Sequence, residues 1–338
     1  MTLRTFGIVP SSRLPRLRQI VQQGALGLWV LGTGVSAHGQ AWPAKPIRVI
    51  VGYAPGGVGD LNGRTYSQRL ALALNQSFLV DNRPGAAAAI GAELVARAAP
   101  DGYTLLMATA GELTVNPSAF PNLRYDPVAD FAPISIASLN PIVLVANAGT
   151  PFKTLADLIV AAKAKPDTIS YASTGNGNIQ HLSMELLRMA GGGALIHVPY
   201  KGGGPAAAAV VGGETPLGSV ALAAATPHLR GGKLRALAIA SARRSSLAPE
   251  IPTFVEGGFN IDVSLWAGLL APARTPPEIV QRLNAEMVKA GQNAELKERL
   301  ATAGSEAMTS TPQEFAAILR ADLEKFTKVV RSAKIRFD

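Results

Sequence analysis

Short β-branched stretches alternate with helical patterns from residue 42 onward, and this alternation restricts the fold more than any other feature of the sequence. Residues 47–53 and 78–80 have the composition of strands, and residues 60–74 between them have the pattern of a helix. Helical residues 93–99 and strand residues 103–109 continue the series. Strands that alternate with helices are typical of βαβ units. The sequence therefore predicts an α/β fold with a mostly parallel sheet.

A second series of the same kind follows, with predicted helices at residues 154–165, 179–189 and 205–211 and predicted strands at 169–172, 195–198 and 234–240. Apolar residues 132–146 and 261–271 fit neither series, and we interpret them as the places where the chain crosses between two lobes. A chain of 338 residues is long enough for two domains. We predict a discontinuous first lobe of residues 42–140 and 263–338, a second lobe of residues 141–262, and a ligand crevice between them.

Three predicted helices begin with the residues of an N-terminal cap. The signature occurs at Thr154 with Asp157, at Thr275 with Pro276 and Glu278, and at Thr311 with Pro312 and Glu314. A threonine hydroxyl accepts a hydrogen bond from the first turn, and a carboxylate near the helix start interacts favourably with the helix dipole. These residues predict where the three helices start.

The first 41 residues have the organisation of an export signal. Four arginines precede an apolar run at residues 24–35, and small residues follow it. The run is shorter than the roughly 20 residues that a membrane-spanning helix needs. We therefore predict a signal peptide, cleaved after Ala37 or Ala41, rather than a membrane anchor, and a protein exported to the periplasm.

Composition excludes several classes of function. There is no cysteine, so a disulfide framework, a thiolate metal site and a cysteine nucleophile are impossible. The net charge of +9 is not gathered into a basic run, which disfavours nucleic-acid binding and is more consistent with a small anionic ligand. The sequence has four histidines but neither HExxH nor GxSxG. We predict no catalytic residue, no metal and no cofactor.

Two glycine-rich turns join a predicted strand to a predicted helix. Gly56 and Gly57 lie in the first turn, and Gly175 lies in the second. Backbone N–H groups that meet at a helix N-terminus can bind an anion, although a tight turn with a purely structural role has the same composition. A third turn brings the cation of Lys201. Two facing anion loops would suit a ligand with a carboxylate at each end.

The residues of these turns carry a resemblance to a known family. The chain resembles the Bug family, the extracytoplasmic solute receptors of tripartite tricarboxylate transporters, in the stretches WPAKPIRVIVGYAPGGVGD, VDNRPGA, YDPVADFAPIS, YASTGNG, HVPYKGGGPA and TPPEIVQRLNAE. The matching stretches extend over nearly the whole of the chain after residue 41, in the same order.

The resemblance implies a two-lobed periplasmic-binding-protein fold of the Venus-flytrap, type II-like class, which closes on a carboxylated solute and presents it to membrane transporter subunits. The ligand carboxylate would be held by the Gly56 and Gly57 loop with Thr109 nearby, and by a second loop from the opposite lobe. The complete set of candidate ligand-binding residues is Tyr53, Pro55, Gly56, Gly57, Asp60, Thr109, Ser173, Thr174, Gly175, Asn176, His181 and Lys201. Asp60 could instead be a helix-capping carboxylate, and His181 a structural histidine.

The sequence departs from the family pattern at two places. Three alanines from Ala87 follow the RPGA stretch, where the family usually has glycine, and Gly218, Ser219 and Val220 stand where many members have an acidic residue. An ammonium group of the ligand would lack that carboxylate partner. The hypothesis is a carboxylate without an essential ammonium, either a dicarboxylate or an aromatic acid, bound by a monomeric receptor. A sensory partner of a signalling receptor and an exported hydrolase are the alternatives.

Overall fold

The computed structural model describes residues 42–263 and 265–335, which contain two β-sheets with helices packed on them. The predicted signal peptide lies outside the described residues. The first sheet has six strands, in the spatial order 306–307, 131–140, 265–272, 104–109, 47–51 and 78–82, and the second has five, in the order 196–199, 170–173, 217–221, 142–147 and 234–239. We call the part built on the first sheet lobe 1 and the part built on the second lobe 2. Of the described helices, none is long and apolar enough to span a bilayer.

Lobe 1 contains most of the helices. Its strands are β1 (Ile47–Val51), β2 (Phe78–Asn82), β3 (Thr104–Thr109), β4 (Phe131–Asn140), β10 (Leu265–Pro272) and β11 (Glu306–Ala307). Its helices are α1 (Val58–Leu74), α2 (Ala89–Ala96), α3 (Ala110–Thr114), α4 (Asn116–Ala119), α9 (Pro277–Gln292), α10 (Ala294–Thr302) and α11 (Pro312–Ala333). Trp266 and Phe315 pack edge to face in the core between β10 and α11, with ring centroids 5.1 Å apart.

Lobe 2 is smaller. Its strands are β5 (Ile142–Asn147), β6 (Ser170–Ser173), β7 (Ile196–Pro199), β8 (Leu217–Ala221) and β9 (Leu234–Ile239). Its helices are α5 (Leu155–Ala164), α6 (Ile179–Leu187), α7 (Gly203–Gly212) and α8 (Leu222–Arg230), and a π-helical turn (Arg188–Gly192) follows α6.

The prediction of a mostly parallel sheet is wrong. Strands β1, β2 and β3 are parallel, as are β6, β7 and β8, but β4, β5, β9, β10 and β11 pair antiparallel to their neighbours. The reason is the crossing between lobes. Residues 132–146 hold most of β4 and β5 with only Pro141 between them, and residues 261–271 hold most of β10. Strand β5, by which the chain enters lobe 2, and β10, by which it re-enters lobe 1, run against the strands of the βαβ units, whereas β4 pairs with β10 and has the direction of β3. The lobe boundaries themselves stay a prediction.

Two of the three predicted helix caps are confirmed. Thr154 and Asp157 form a capping box at α5, and Thr311 and Glu314 form one at α11. The cap at Thr275 is wrong, because α9 begins at Pro277 and its N-cap residue is Pro276, which has no side-chain cap bond. The buried hydroxyl of Thr275 has no hydrogen-bond partner among the described residues. The second of two consecutive prolines takes the first helical position here, where its missing N–H costs nothing.

The three alanines before α2 have a strained backbone. Ala86, Ala87 and Ala88 have φ angles of 46°, 50° and 71°, which lie in the left-handed region that favours glycine. Each such alanine costs roughly 1–2 kcal/mol because its Cβ crowds the backbone. The side chain of Asn116 contributes to holding this turn, since its Nδ2 donates to the carbonyl of Ala87 at 2.8 Å.

Replacing Ala87 with glycine is expected to stabilise the protein by about 1 kcal/mol, because the left-handed backbone no longer opposes a Cβ atom. Denaturant unfolding followed by circular dichroism measures the change. The matched control is Ala92→Gly in the right-handed helix α2, which removes a buried methyl group and should destabilise the protein. A lower free energy of unfolding in Ala87→Gly than in wild type would contradict the backbone strain that we infer at this position.

Candidate functional site

A crevice of about 660 Å³ lies between the lobes and is lined by residues of both. Lobe 1 contributes the loop after β1, the end of β3 and the residues around α3 and α4. Lobe 2 contributes the loop between β6 and α6 and the turn after β7. Among the described residues that line the crevice, Lys201 is the single charged side chain. The crevice is therefore largely neutral, with polar groups supplied by loops.

The lobe 1 loop ends at the N-terminus of α1. Gly57 is the N-cap residue of this helix, and it lines the crevice with an extended backbone, φ −84° and ψ 177°. The left-handed residue of the loop is instead Gly56, with φ +90°. The buried carboxylate of Asp60 accepts a hydrogen bond from the N–H of Gly56 at 3.0 Å and another from Nε of Arg64 at 3.0 Å. The Asp60 carboxylate, which does not line the crevice, therefore holds the loop in place through these hydrogen bonds.

The charge state of Asp60 follows from these contacts. Burial acts to raise its pKa, but the hydrogen bonds from Arg64 and from the backbone of Gly56 outweigh burial, so the pKa lies below its usual value. Asp60 is therefore ionised at neutral pH and keeps both bonds. Its carboxylate supports the anion loop and does not line the crevice.

The lobe 2 loop rests on two stacked histidines. The N–H of Gly177 donates to Nδ1 of His181 at 3.1 Å, and Oγ of Ser173 lies 2.6 Å from Nε2 of His197. The two imidazole rings stack with centroids 3.8 Å apart and planes 13° apart. Burial lowers the pKa of each histidine to about 4. Both rings are neutral at pH 7, so Nδ1 of His181 stays available as an acceptor for the loop.

A buried carboxyl group lies behind the lobe 1 wall. The side chain of Glu112 is fully buried, and its Oε2 lies 3.0 Å from Oγ1 of Thr109, which lines the crevice. The hydroxyl of Tyr53, another lining residue, also interacts with this carboxyl group. Burial raises the pKa of Glu112 to about 8. No described lysine, arginine or histidine forms an ion pair with it.

Gly218, Ser219 and Val220 of β8, where the sequence departs from the family pattern, are not among the residues that line the crevice. Ser219 is buried, and its hydroxyl donates to the carbonyl of Gln180 at 3.0 Å. No aspartate or glutamate is present among the described lining residues. A cationic group of a ligand would find no carboxylate partner in this lining.

Comparison with known proteins identifies the family. Residues 63–335 match the model described as the tripartite tricarboxylate transporter family receptor. The chain belongs to this family. Protein BugT of Bordetella pertussis is 34% identical over 310 residues, which cover 90% of this chain and 95% of BugT.

Two solved structures of similar proteins contain a carboxylate ligand. R. palustris Rpa4515 with adipate is 31% identical and has a TM-score of 0.74, covering 87% of this chain and 99% of that one. MatC of Rhodopseudomonas palustris with bound malate is 31% identical and has a TM-score of 0.70, covering 85% and 99%. The resemblance to the Bug family and the two-lobed periplasmic-binding-protein fold that we predict from the sequence are confirmed.

The structure brings seven of the twelve candidate residues to the crevice: Tyr53, Gly57, Thr109, Thr174, Gly175, Asn176 and Lys201. The other five lie outside the lining: Pro55, Gly56, Asp60, Ser173 and His181. Asp60, Ser173 and His181 hold the two loops through the hydrogen bonds described above, which agrees with the structural alternatives for Asp60 and His181. The ligand contacts of all twelve stay a prediction.

Sequence reasoning missed several residues of the site. Asn116, Phe120, Asn178, Gln180 and Tyr200 line the crevice, and Glu112 lies behind it. Asn178 and Gln180 follow the second glycine turn directly, so their position next to the loop was a usable signal. Glu112 gave no such signal, because a glutamate in an apolar stretch does not reveal whether its carboxyl group is buried.

Proposed function

We propose that this protein is a solute receptor that captures a small carboxylate between its two lobes and delivers it to membrane subunits of a tripartite tricarboxylate-type transporter. One observation carries the proposal. Two strand-to-helix loops from opposite lobes, one containing Gly57 and the other Gly175, face a single crevice whose described lining has one cation and no acid.

The chemistry of these loops suits carboxylates. The backbone N–H groups at the start of α1 and α6 have no intrahelical partner, and the helix dipole favours negative charge there. Hydroxyl and amide side chains of Thr109, Thr174 and Asn176 add hydrogen-bonding groups to the same crevice. A ligand with a carboxylate at each end can engage one loop of each lobe. Adipate and malate, the ligands of the two similar structures, are both dicarboxylates.

Catalysis is not part of the proposal. The described lining contains no histidine and no carboxylate that could serve as a general base beside a hydroxyl nucleophile. His181 and His197 hold a loop instead. We further propose that the receptor is exported to the periplasm with its signal peptide removed, acts as a monomer, and closes by hinge motion at the two crossing segments.

A thermal-shift screen of the purified protein tests the function. The panel contains adipate, malate, citrate, benzoate, aspartate and glutamate, with calorimetry on each hit. A bound acid at a hundred times its dissociation constant adds about 2.7 kcal/mol and raises the melting temperature by several degrees. Dicarboxylates without an ammonium group are expected to bind. Tight binding of aspartate or glutamate alone would contradict the ligand class, and release of a product would favour a hydrolase.

A further inference from the structure

The wall of lobe 1 contains an acid that no part of the proposed function uses. Glu112 is the third residue of α3, and its neighbours Thr109, Gly111 and Val115 line the crevice while its own side chain is fully buried behind them. Its Oε2 lies 3.0 Å from Oγ1 of Thr109, and its Oε1 has no hydrogen-bond partner among the described residues.

We propose that Glu112 is a positioning residue that acts in its neutral form and directs the hydroxyl group of Thr109 toward a carboxylate in the crevice. This inference rests on the proposed function and names how lobe 1 recognises the ligand's charge.

The surroundings of Glu112 keep it neutral. The ionisable groups that face it are the phenols of Tyr53 and Tyr125, and the hydroxyl of Tyr125 donates to the backbone carbonyl of Glu112. None of these groups supplies a positive charge, and α11, which packs against α3, contributes no ion pair to it in the described structure. Burial dominates and raises the pKa of Glu112 to about 8. Most Glu112 side chains are therefore protonated at neutral pH.

Protonation decides which way the hydroxyl groups point. A protonated carboxyl group has one O–H donor, whereas a carboxylate only accepts. The neutral acid can donate to Oγ1 of Thr109, so the threonine O–H turns away from Glu112 toward the crevice wall, where the hydroxyl of Tyr53 is also within reach. An ionised Glu112 instead draws that O–H onto itself and turns an oxygen lone pair toward the ligand. Its negative charge would also repel a ligand carboxylate across a poorly solvated wall.

The predicted consequence is a carboxylate affinity that falls as pH rises through the ionisation of Glu112. If only the neutral form binds, the apparent dissociation constant increases in proportion to the loss of that form. With a pKa of about 8, the constant for adipate rises by up to about thirtyfold between about pH 6.5 and about pH 9.5.

Glu112→Gln is the central test, because glutamine keeps an N–H donor and stays uncharged at all pH values. Calorimetry with adipate and with malate at about pH 6.5 and about pH 9.5 measures the affinity. The variant is expected to bind with wild-type-like affinity at the lower pH and to lack the loss of affinity that ionisation of Glu112 causes in wild type at the higher pH. Any change in affinity that the variant retains belongs to other groups. The control Glu324→Gln, on the exposed face of α11, should keep the wild-type pH dependence.

Two further measurements keep the test decisive. Infrared difference spectra of ligand-free wild type and Glu112→Gln should show a protonated carboxyl band at about pH 6.5 that disappears at high pH. Thr109→Val, which keeps the shape of the side chain but removes the hydroxyl, should weaken adipate binding at about pH 6.5 and reduce the pH dependence.

The outcomes separate the two proposals. An ionised Glu112 at about pH 6.5, or the same pH dependence in wild type and Glu112→Gln, overturns the role of Glu112 while carboxylate binding stands. If no acid of the panel binds wild type at about pH 6.5, the proposed function itself is overturned.

Discussion

Replacing Gly57 with valine is expected to weaken carboxylate binding by more than tenfold while the protein stays folded. Gly57 has an extended backbone that any residue adopts, and the nearest atom to an added Cβ is the carbonyl oxygen of Ala54 at 3.9 Å. A Cβ atom therefore fits the loop, and the methyl groups of the valine are expected to occupy the place at the N-terminus of α1 where an anion would approach. Calorimetry with the tightest acid of the panel measures the loss.

A matched control is Gly212→Val at the end of α7. An added Cβ there meets no atom within 4 Å, and Gly212 is not among the residues that line the crevice. Both variants should unfold at a denaturant concentration close to that of wild type, but only the variant at Gly57 should lose affinity. Wild-type affinity in a folded Gly57→Val protein would disprove the anion site at this loop.

The stability of the protein is expected to pass through a maximum near pH 6.5. The pKa of His181 and of His197 falls from 6.5 in the unfolded chain to about 4 in the folded protein, because burial disfavours the charged rings. Between these values the unfolded chain holds more protons than the folded protein, so stability rises with pH. The pKa of Glu112 rises from 4.5 to about 8, so above pH 4.5 this group makes stability fall as pH rises.

The two effects combine simply. Two histidines outweigh one glutamate up to pH 6.5, where the imidazoles of the unfolded chain are half protonated, and the effect of Glu112 exceeds theirs from there to about pH 8. Each proton corresponds to about 1.4 kcal/mol per pH unit, and the remaining deprotonation of the two histidines in the unfolded chain offsets part of the loss from Glu112. The free energy of unfolding should therefore drop by about 1 kcal/mol between pH 6.5 and 8. Urea unfolding at a series of pH values measures the curve.

Two variants show which groups cause the rise in stability below the maximum and the decline above it. Glu112→Gln should remove the decline above pH 6.5 and leave the rise below it. His181→Asn keeps a side-chain acceptor in place of the imidazole and should make the rise shallower. A decline that persists in Glu112→Gln would show that a different group titrates there.

The alternation of strands and helices was sufficient to predict the two series of elements, because local patterning and turn residues agree in βαβ units. The direction of the strands was not predictable in the same way. Strands β4, β5 and β10 are largely buried on both faces, and such runs give no sign of whether a strand is parallel or antiparallel. Their pairing follows from the passage of the chain between lobes, which is a property of the whole fold.

In the candidate site, too, some features could be predicted from the sequence and others could not. Glycine turns could be located from the sequence because a strand that runs into glycines and then a helix is a local pattern, as at Gly57 and Gly175. What each polar residue does there depends on three-dimensional packing. His181 lies next to the second loop in sequence, but it is the stacking of its ring on His197, 16 residues away, that makes it a support for the loop.

The nearly uncharged lining of the crevice has a consequence for the kinetics of capture. Long-range attraction between a protein and a charged ligand accelerates their encounter, and dissolved salt screens it over about 10 Å at an ionic strength of 0.1 M. With Lys201 as the one charged lining side chain, the described crevice offers little such attraction. Any salt-sensitive acceleration of the encounter with an anionic solute must therefore come from the net positive charge of the rest of the protein and not from the lining itself.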